Sequence, residues 1–364
     1  MNHATSIAEA ARTQATHLSL GARSLDLYLP PEIGQLTHLT SLDLEECWLL
    51  SLPPEIEKLT NLTRLNLYTN YLTSLPPEIG QLTNLTELNL SVNHLTSLPP
   101  EFARLINLTD LDLFLNSLGV VPPEIGYLTN LTTLELGSNH LTFLPTEIGR
   151  LTQLTKLDLK WNRLTSLPPE ISRLTQLKDL DLLDNRLTSF PSEILSFAEL
   201  RELALGGNNG ISFLPPEIGQ LTHLTSLDLS NTGLTSLPPE IFRLTNLTSL
   251  VLSGNRLGSL SPEIGNLTNL TRLHLDAISL TSLPPEIGQL SHLKDLFLTK
   301  NQLTSLPPEI GQLSQLESLY VANNRLTFLP SEIGQLPFLA NLDVRQNALL
   351  DEVALQKGNR YTYG

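Results

Sequence analysis

Eight histidines, one cysteine and 37 carboxylates are the side chains of this 364-residue chain with chemistry to offer. Catalysis would need a nucleophile beside a base, paired carboxylates in a cleft, or a cluster of metal ligands. The sequence spaces none of these. His38, His94, His140, His223 and His292 fall at changing positions of a repeated segment. Cys47 stands where most other copies of that segment carry asparagine, so it reads as a structural substitute rather than a nucleophile. No G-x-x-x-x-G-K-[ST] run occurs, so no phosphate-cradling loop is expected. We expect no catalytic residue, no metal site and no cofactor.

What remains is the chemistry of binding. At the variable positions around the strands, the first seven copies offer eleven acids: Asp43, Glu45, Glu46, Glu87, Asp110, Asp112, Glu135, Asp158, Asp179, Asp181 and Asp184. Against them stand five bases, Arg64, Lys156, Lys160, Arg163 and Arg186, while later copies balance five acids with five bases. The acidic half also carries Trp48, Tyr68, Tyr71, Phe114, Leu115 and Trp161. Aromatics set among charges are the composition of binding hot spots. The expected partner-binding set is therefore Trp48, Tyr68, Tyr71, Asp110, Asp112, Phe114, Leu115, Asp158, Trp161 and Asp181, facing a protein with a basic patch. Two plainer readings compete. The recurring Leu-Asp-Leu belongs to the wording of the repeat, and exposed rings stack only on each other.

The elements that must position these residues come from the repeat. Leu59–Gln81 reads LTNLTRLNLYTNYLTSLPPEIGQ and Leu82–Arg104 reads LTNLTELNLSVNHLTSLPPEFAR. From Leu36 to Gln335 the chain lays out as thirteen copies, twelve of 23 residues and one, Phe197–Gln220, of 24. A partial copy precedes them and another, Leu336–Leu349, follows. A period of this size predicts a solenoid of stacked coils. In each coil a Leu-x-Leu alternation, as in Leu88-Asn89-Leu90, predicts a short strand, and stacking sets these strands into a parallel sheet. LPPEIGQ then returns along the other side as one helical or 3₁₀ turn, with Gly80, Gly126, Gly219 and Gly311 expected to close it as glycines past a helix end do. The fourteen glutamates behind the Pro position suit a helix N-terminus and carry much of the net charge of −15.

Leu82, Leu85, Leu88, Leu90, Leu95 and Leu98 point to one interior. Ten of thirteen copies place an asparagine, such as Asn70, Asn116, Asn162, Asn255 and Asn324, where the chain turns inward. Its amide suits bare backbone groups and predicts a hydrogen-bonded ladder. Cys47 and Thr232 support a reduced bond there and Ile278 none, so loosening is expected at Ile278, and an irregularity at Gly206–Gly210 where the extra residue sits. Fourteen strands at ~4.8 Å form an arc on the order of 65 Å, wide enough for a protein interface and too broad for a small-molecule pocket.

The pattern L-x-x-L-x-L-x-x-N-x-L, seen as Leu85, Leu88, Leu90, Asn93 and Leu95, resembles leucine-rich-repeat proteins over most of the chain. Its LPPEIGQL tail is similar to the 23-residue, Ras-group-like class of plant intracellular, animal scaffold and bacterial proteins. The opening segment resembles the start of repeat arrays in bacterial Roco-type proteins. The resemblance implies an α/β horseshoe solenoid with a concave parallel sheet, acting as a non-enzymatic scaffold for partners such as small GTPases, kinases or phosphatases. It also implies alternatives: a sensor array cut from a Roco GTPase or ubiquitin ligase, or a bacterial effector or adhesin.

Organisation follows as residues 1–35, a capping helix over Thr5–Thr16 and a degenerate repeat through Leu18, Leu20 and Leu25; 36–349, the array; and 350–364, a tail or thin cap using Val353 and Leu355. With 16% charged and 40% hydrophobic residues the chain is not disordered. It shows no signal-peptide core and no apolar run near the ~20 residues of a membrane span. The lone cysteine excludes an internal disulfide, and together these predict a cytoplasmic protein. The acidic balance argues against nucleic acid.

Overall fold

The computed structural model of the protein describes residues 3–21 and 27–349; Leu25, Val353 and Leu355 lie outside them. The chain opens with α1, His3–Thr13, which starts and ends earlier than its spacing predicts. Ile7 and Ala10 are buried, and the helix packs on the first 3₁₀ turn. Gln14 ends it by turning to φ 52°, and the Thr16 carbonyl then accepts from the N–H groups of Thr40 and Ser41.

Two compact units follow from the contacts, Met1–Asn185 and Arg186–Gly364. In the first, β1 (His17–Ser19), β2 (Ser41–Asp43), β3 (Arg64–Asn66), β4 (Glu87–Asn89), β5 (Asp110–Asp112), β6 (Thr133–Glu135), β7 (Lys156–Asp158) and β8 (Asp179–Asp181) pair in parallel with their chain neighbours. In the second, β9 (Glu202–Ala204), β10 (Ser226–Asp228), β11 (Ser249–Val251), β12 (Arg272–His274), β13 (Asp295–Phe297), β14 (Ser318–Tyr320) and β15 (Asn341–Asp343) do the same. Like positions of successive copies lie side by side (Arg64 beside Glu87, Glu87 beside Asp110), so the 23-residue period of the sequence is the register of the sheet. The middle leucine of each strand points into the core, where Leu65, Leu88, Leu111 and Leu134 are buried.

The return segments are five-residue 3₁₀ turns such as Pro77–Gln81. Pro76 is extended at φ −70°, ψ 147°, because the residue before a proline is pushed out of the helical region. Pro77 then starts the turn where its missing N–H costs nothing. The glycines have a different role from the one expected. Gly80, Gly126, Gly219 and Gly311 lie inside their turns with no positive φ. A Cβ on Gly126 would stand 2.7 Å from Cβ and 2.8 Å from the carbonyl oxygen of Glu147 in the next coil. Glycine is there because two turns approach too closely for a side chain.

Three hydrogen-bond ladders tie coil to coil. The asparagine ladder runs as expected. Asn70 Nδ2 donates to the Leu44 and Leu67 carbonyls at 2.9 Å each, and its Oδ1 accepts from Leu49 N–H at 2.9 Å. Cys47 Sγ reaches the Leu20 and Glu45 carbonyls at 3.5 Å, and Thr232 Oγ1 donates to Leu229 at 2.9 Å. Ile278 breaks one rung, yet the core stays closed: Ile278 is fully buried and its N–H donates to Asn301 Oδ1 at 3.1 Å. Asn208 fills the slot of the 24-residue copy and accepts from Leu187 N–H at 3.0 Å. The extra residue is absorbed just beyond, where Gly210 passes 2.7 Å from Thr188 Cα as measured from its would-be Cβ. A second ladder uses the asparagine of Asn-Leu-Thr, with Asn84 Nδ2 donating to Thr60 and Asn107 Nδ2 to Thr83 at 2.8 Å. A third uses the threonine, as in Thr86 Oγ1 to Thr63 at 3.0 Å.

Candidate functional site

With the leucines inside and the Asn, Thr and Gly slots committed to stacking, the strand face carries the side chains left to vary. In the first unit its centre is a cluster around Gly137. Lys160 Nζ lies 2.8 Å from Asp158 and 3.8 Å from Asp181. The same ammonium sits 5.3 Å from the Phe114 ring centre and 5.5 Å from that of Trp161, within cation–π range. Phe114 and Trp161 lie 6.1 Å apart at 52°, and Trp161 Nε1 donates to Asp184 at 3.1 Å. Gly137 makes room for this: a Cβ there would meet Asp158 Oδ1 at 2.8 Å and Phe114 Cδ2 at 3.0 Å.

The expected residues divide in two. Trp48, Leu115 and Trp161 stand out at 46%, 46% and 49% exposed, and Tyr71, also exposed, stacks on His94 with centroids 5.9 Å apart at 18°. Tyr68 and Phe114 are half-buried. Asp110 is exposed and accepts from Thr109 Oγ1 at 2.7 Å. Asp112, Asp158 and Asp181, expected to be free for a partner, are each used locally. Their Oδ1 atoms accept the N–H two residues on, of Phe114, Lys160 and Leu183, at 2.9, 2.9 and 3.0 Å. Asp158 departs furthest. It is 3% exposed and its charge is spent on Lys160. Asn66 and Asn89 make the same turn-closing bond, so in the first unit an amide oxygen serves this column as well as a carboxylate.

Other acids are paired as well, Glu87 with Arg64 at 3.1 Å and Glu135 with Lys156 at 2.8 Å. A shallow hollow of about 280 Å³ lies among Arg64, Glu87, Asn89, Asp110, Asp112 and Glu135. Burial pushes the carboxyls of Asp112 and Glu135 above their ordinary range. Burial is also the main cause that pushes Asp181 up to about 6, with Asp158 adding to it, against the Leu183 N–H and Lys160. For Lys160 burial acts downward, but the bond and charge of Asp158 prevail and its ammonium is held more firmly than usual. The Cys47 thiol, buried and near Asp43, is pushed up to about 11, which leaves it protonated and unreactive at neutral pH.

Leu115 and Trp161 share a backbone feature. The residue before the Asn slot adopts positive φ, 53° at Leu115 and 55° at Trp161. The same slot is left-handed from coil to coil: Gly207, Gly254, Asn231 and Asn323 suit that conformation, while Thr69, Val92, Ala277, Lys300 and Gln346 adopt it at a cost.

Sequence reasoning missed one group altogether. His274, Phe297 and Tyr320 stack on adjacent strands of the second unit, at 4.0 Å and 9°, then 4.9 Å and 14°. The signal was present as three rings at 23-residue spacing in the third strand position.

Together these features define a stacked-coil repeat protein with a variable strand face, the architecture of an interaction module. A family model described as leucine-rich repeat region matches residues 101–209, 192–279 and 261–354, and one described as leucine rich repeat matches 37–95 and 60–118. The chain belongs to the leucine-rich-repeat family. A Leptospira interrogans leucine-rich-repeat protein is 39% identical with TM-score 0.85, over 95% of this chain and 94% of that one. The functional domain of InlJ from Listeria monocytogenes, described as including a cysteine ladder, is 29% identical with TM-score 0.76, over 96% and 69%. The plant peptide hormone receptor RGFR1, solved in complex with RGF2, is 30% identical with TM-score 0.72, over 91% and 59%. The comparison with curated proteins returns no match. Among the described residues no helix is long and apolar enough to cross a membrane.

Proposed function

We propose that the strand face of the first unit binds a protein partner, with Trp48, Tyr71, Leu115 and Trp161 as its contacts and Tyr68 and Phe114 supporting them. One observation carries this reading. Leu115 and Trp161 are large, about half exposed, and held in a left-handed backbone that costs a non-glycine residue about 1–2 kcal/mol. Inside its own coil Trp161 meets the Lys160 ammonium, 5.5 Å from its ring centre, and both side chains stay about half exposed.

Asp110 and the acids at Asp43, Glu45 and Glu46 give the face a negative surplus that suits a basic patch on the partner. Asp112, Asp158 and Asp181 act by shaping the turns that carry Phe114, Lys160 and Leu183. The chain then serves as a non-enzymatic scaffold of the 23-residue class. A cytoplasmic setting, expected from the lone Cys47, belongs to the same proposal. The alternative, a recognition array from a larger signalling enzyme or a bacterial effector, is separated from it by the gene sequence beyond Gly364 and by cell fractionation.

The test compares affinity capture by the wild type with capture by Trp48→Ala/Leu115→Ala/Trp161→Ala. We expect the triple variant to melt like the wild type and to lose the partner, and the wild-type complex to weaken as salt rises. A triple variant that unfolds, or that keeps the partner at wild-type yield, would refute the assignment.

A further inference from the structure

The surplus residue of the 24-residue copy changes the chemistry of the chain at one point. In the regular copies the residue after the asparagine slot is tied by its N–H to a leucine carbonyl of the preceding coil. His94 is tied to Leu72 at 2.9 Å, His140 to Leu118 at 2.9 Å and Arg256 to Leu234 at 2.8 Å. In Phe197–Gln220 the slot is Asn208, and Asn209 and Gly210 follow it. Gly210 presses on Leu187 O of the preceding coil, the carbonyl that would accept such a tie, and a Cβ there would also stand 2.7 Å from Thr188 Cα. The packing therefore admits glycine alone at 210. Among the described residues, neither the N–H of Asn209 nor that of Gly210 makes a backbone hydrogen bond.

The two neighbouring asparagines have opposite surroundings. Asn208 is fully buried, with Nδ2 donating to Leu205 O at 2.8 Å and Oδ1 accepting from Leu187 N–H at 3.0 Å. Asn209 is exposed, and among the described residues its amide has no hydrogen-bond partner. Exposed asparagines of the regular copies are held instead. Asn84 Nδ2 donates to Thr60 O and Asn246 Nδ2 to Thr222 O, at 2.8 Å each, and a buried leucine follows both. Asn209–Gly210 is the one Asn-Gly pair in the sequence. It joins an unheld side-chain amide to a main-chain nitrogen with no hydrogen bond on its proton and no side chain beside it. Both reactants belong to one chain, so the attack is intramolecular.

We propose that Asn209 is a self-modification site, converted through a succinimide ring with Gly210 to aspartate and isoaspartate. The Gly210 nitrogen gives its proton to water and bonds to Asn209 Cγ. The Cγ–Nδ2 bond breaks, and Nδ2 leaves as ammonia with a proton from solvent. Water then opens the ring. Cleavage between Gly210 N and Cγ gives aspartate in an ordinary chain. Cleavage between Gly210 N and the main-chain carbonyl carbon of Asn209 gives isoaspartate, with the chain running through Cβ and Cγ. Nothing is oxidised or reduced, and water is the only co-reactant. Either product places a carboxylate one coil from Arg186, which is exposed at the same position of the preceding copy. Isoaspartate also lengthens the main chain of a coil that already holds a residue too many.

The full chain is kept folded at mildly alkaline pH, sampled over time and digested with trypsin. The peptide that begins after Arg201 is then read by mass spectrometry, with fragmentation that separates isoaspartate from aspartate. We expect this peptide to lose an amide before any other asparagine-containing peptide does, at Asn209 and not at Asn208, with isoaspartate among the products. Asn209→Gln, whose longer side chain must close a larger ring, should abolish the loss. The same chain unfolded in urea is the control for the chemistry. Loss from Asn209 in urea but not in the folded chain would overturn the proposal, because the fold would then be protecting the site. Four other results would also overturn it: no loss in either state, aspartate without isoaspartate, equal loss from Asn84 or Asn246, and persistent loss in Asn209→Gln.

Discussion

Asn139→Ala measures what the asparagine ladder contributes. In the wild type, Asn139 Nδ2 donates to the carbonyls of Leu113 at 3.0 Å and Leu136 at 3.1 Å, while Oδ1 accepts from Leu118 N–H at 2.9 Å. The two carbonyls are shared with the neighbouring rungs. Leu113 O also accepts from Asn116 at 3.1 Å, and Leu136 O from Asn162 at 2.9 Å. Truncating Asn139 therefore leaves only the Leu118 N–H without a partner. An orphaned buried donor costs about 1–3 kcal/mol, and each of the two lost second bonds to a carbonyl adds roughly 0.5–1, so we expect about 2–5 kcal/mol in all. Urea unfolding followed by circular dichroism reads this as a lower midpoint at unchanged slope. The sharing gives a stronger test. Asn116→Ala/Asn139→Ala removes both donors from Leu113 O, so the double variant should lose more than the sum of the singles by about 1–3 kcal/mol. A cost below about 1 kcal/mol for Asn139→Ala, or additivity in the pair, would show that the rungs do not share their acceptors and would refute the reasoning.

Two further outcomes follow from the geometry. Gly126→Ala should cost about 1–3 kcal/mol by forcing apart two 3₁₀ turns, while Gly119→Ala, whose Cβ meets nothing within 4 Å, should be neutral or slightly stabilising; equal effects in urea unfolding would contradict the close-approach account. Asp181 holds its proton up to about 6 in the folded protein, against 3.8 for an unperturbed aspartate, so its contribution to stability falls as pH rises through that window and is flat on either side. Asp181→Asn should remove this slope, and wild-type and variant unfolding midpoints that run parallel from pH 3.8 to about 6 would exclude it.

The stacked leucines and the asparagine ladder were legible because their causes are local to one copy. Leu88 and Leu90 alternate with a strand's period, and Asn93 has the donors and acceptor its turn requires. The glycine of the 3₁₀ turn was not legible in this way. Gly126 looks like a helix terminator within its own copy, and its reason, Glu147, lies 21 residues on and one coil away. Ile278 misled for a related cause: the slot loses its amide, but Asn301 of the next coil still reaches back to its N–H.

For the candidate site the signal lay down the columns rather than along the chain. Asp112, Asp158 and Asp181 stand in one position with Asn66 and Asn89, and all five use a side-chain oxygen to close the turn two residues on. Counting these aspartates as charges for a partner therefore overstated them. The ridge of His274, Phe297 and Tyr320 escaped because each ring alone is an ordinary strand residue, and only their 23-residue spacing brings them face to face. The slot before the asparagine carries the opposite message. Its backbone is left-handed, Gly207 and Gly254 satisfy that without strain, and any leucine or tryptophan placed there costs stability. Trp161 recovers part of the cost through its bond to Asp184 and its contact with Phe114, whereas Leu115 has neither and stays 46% exposed. Leu115, like Trp48 at φ 61° and 46% exposed, is thus a side chain the fold has little reason to keep, which makes the pair sharp probes of whether that face is built for a partner.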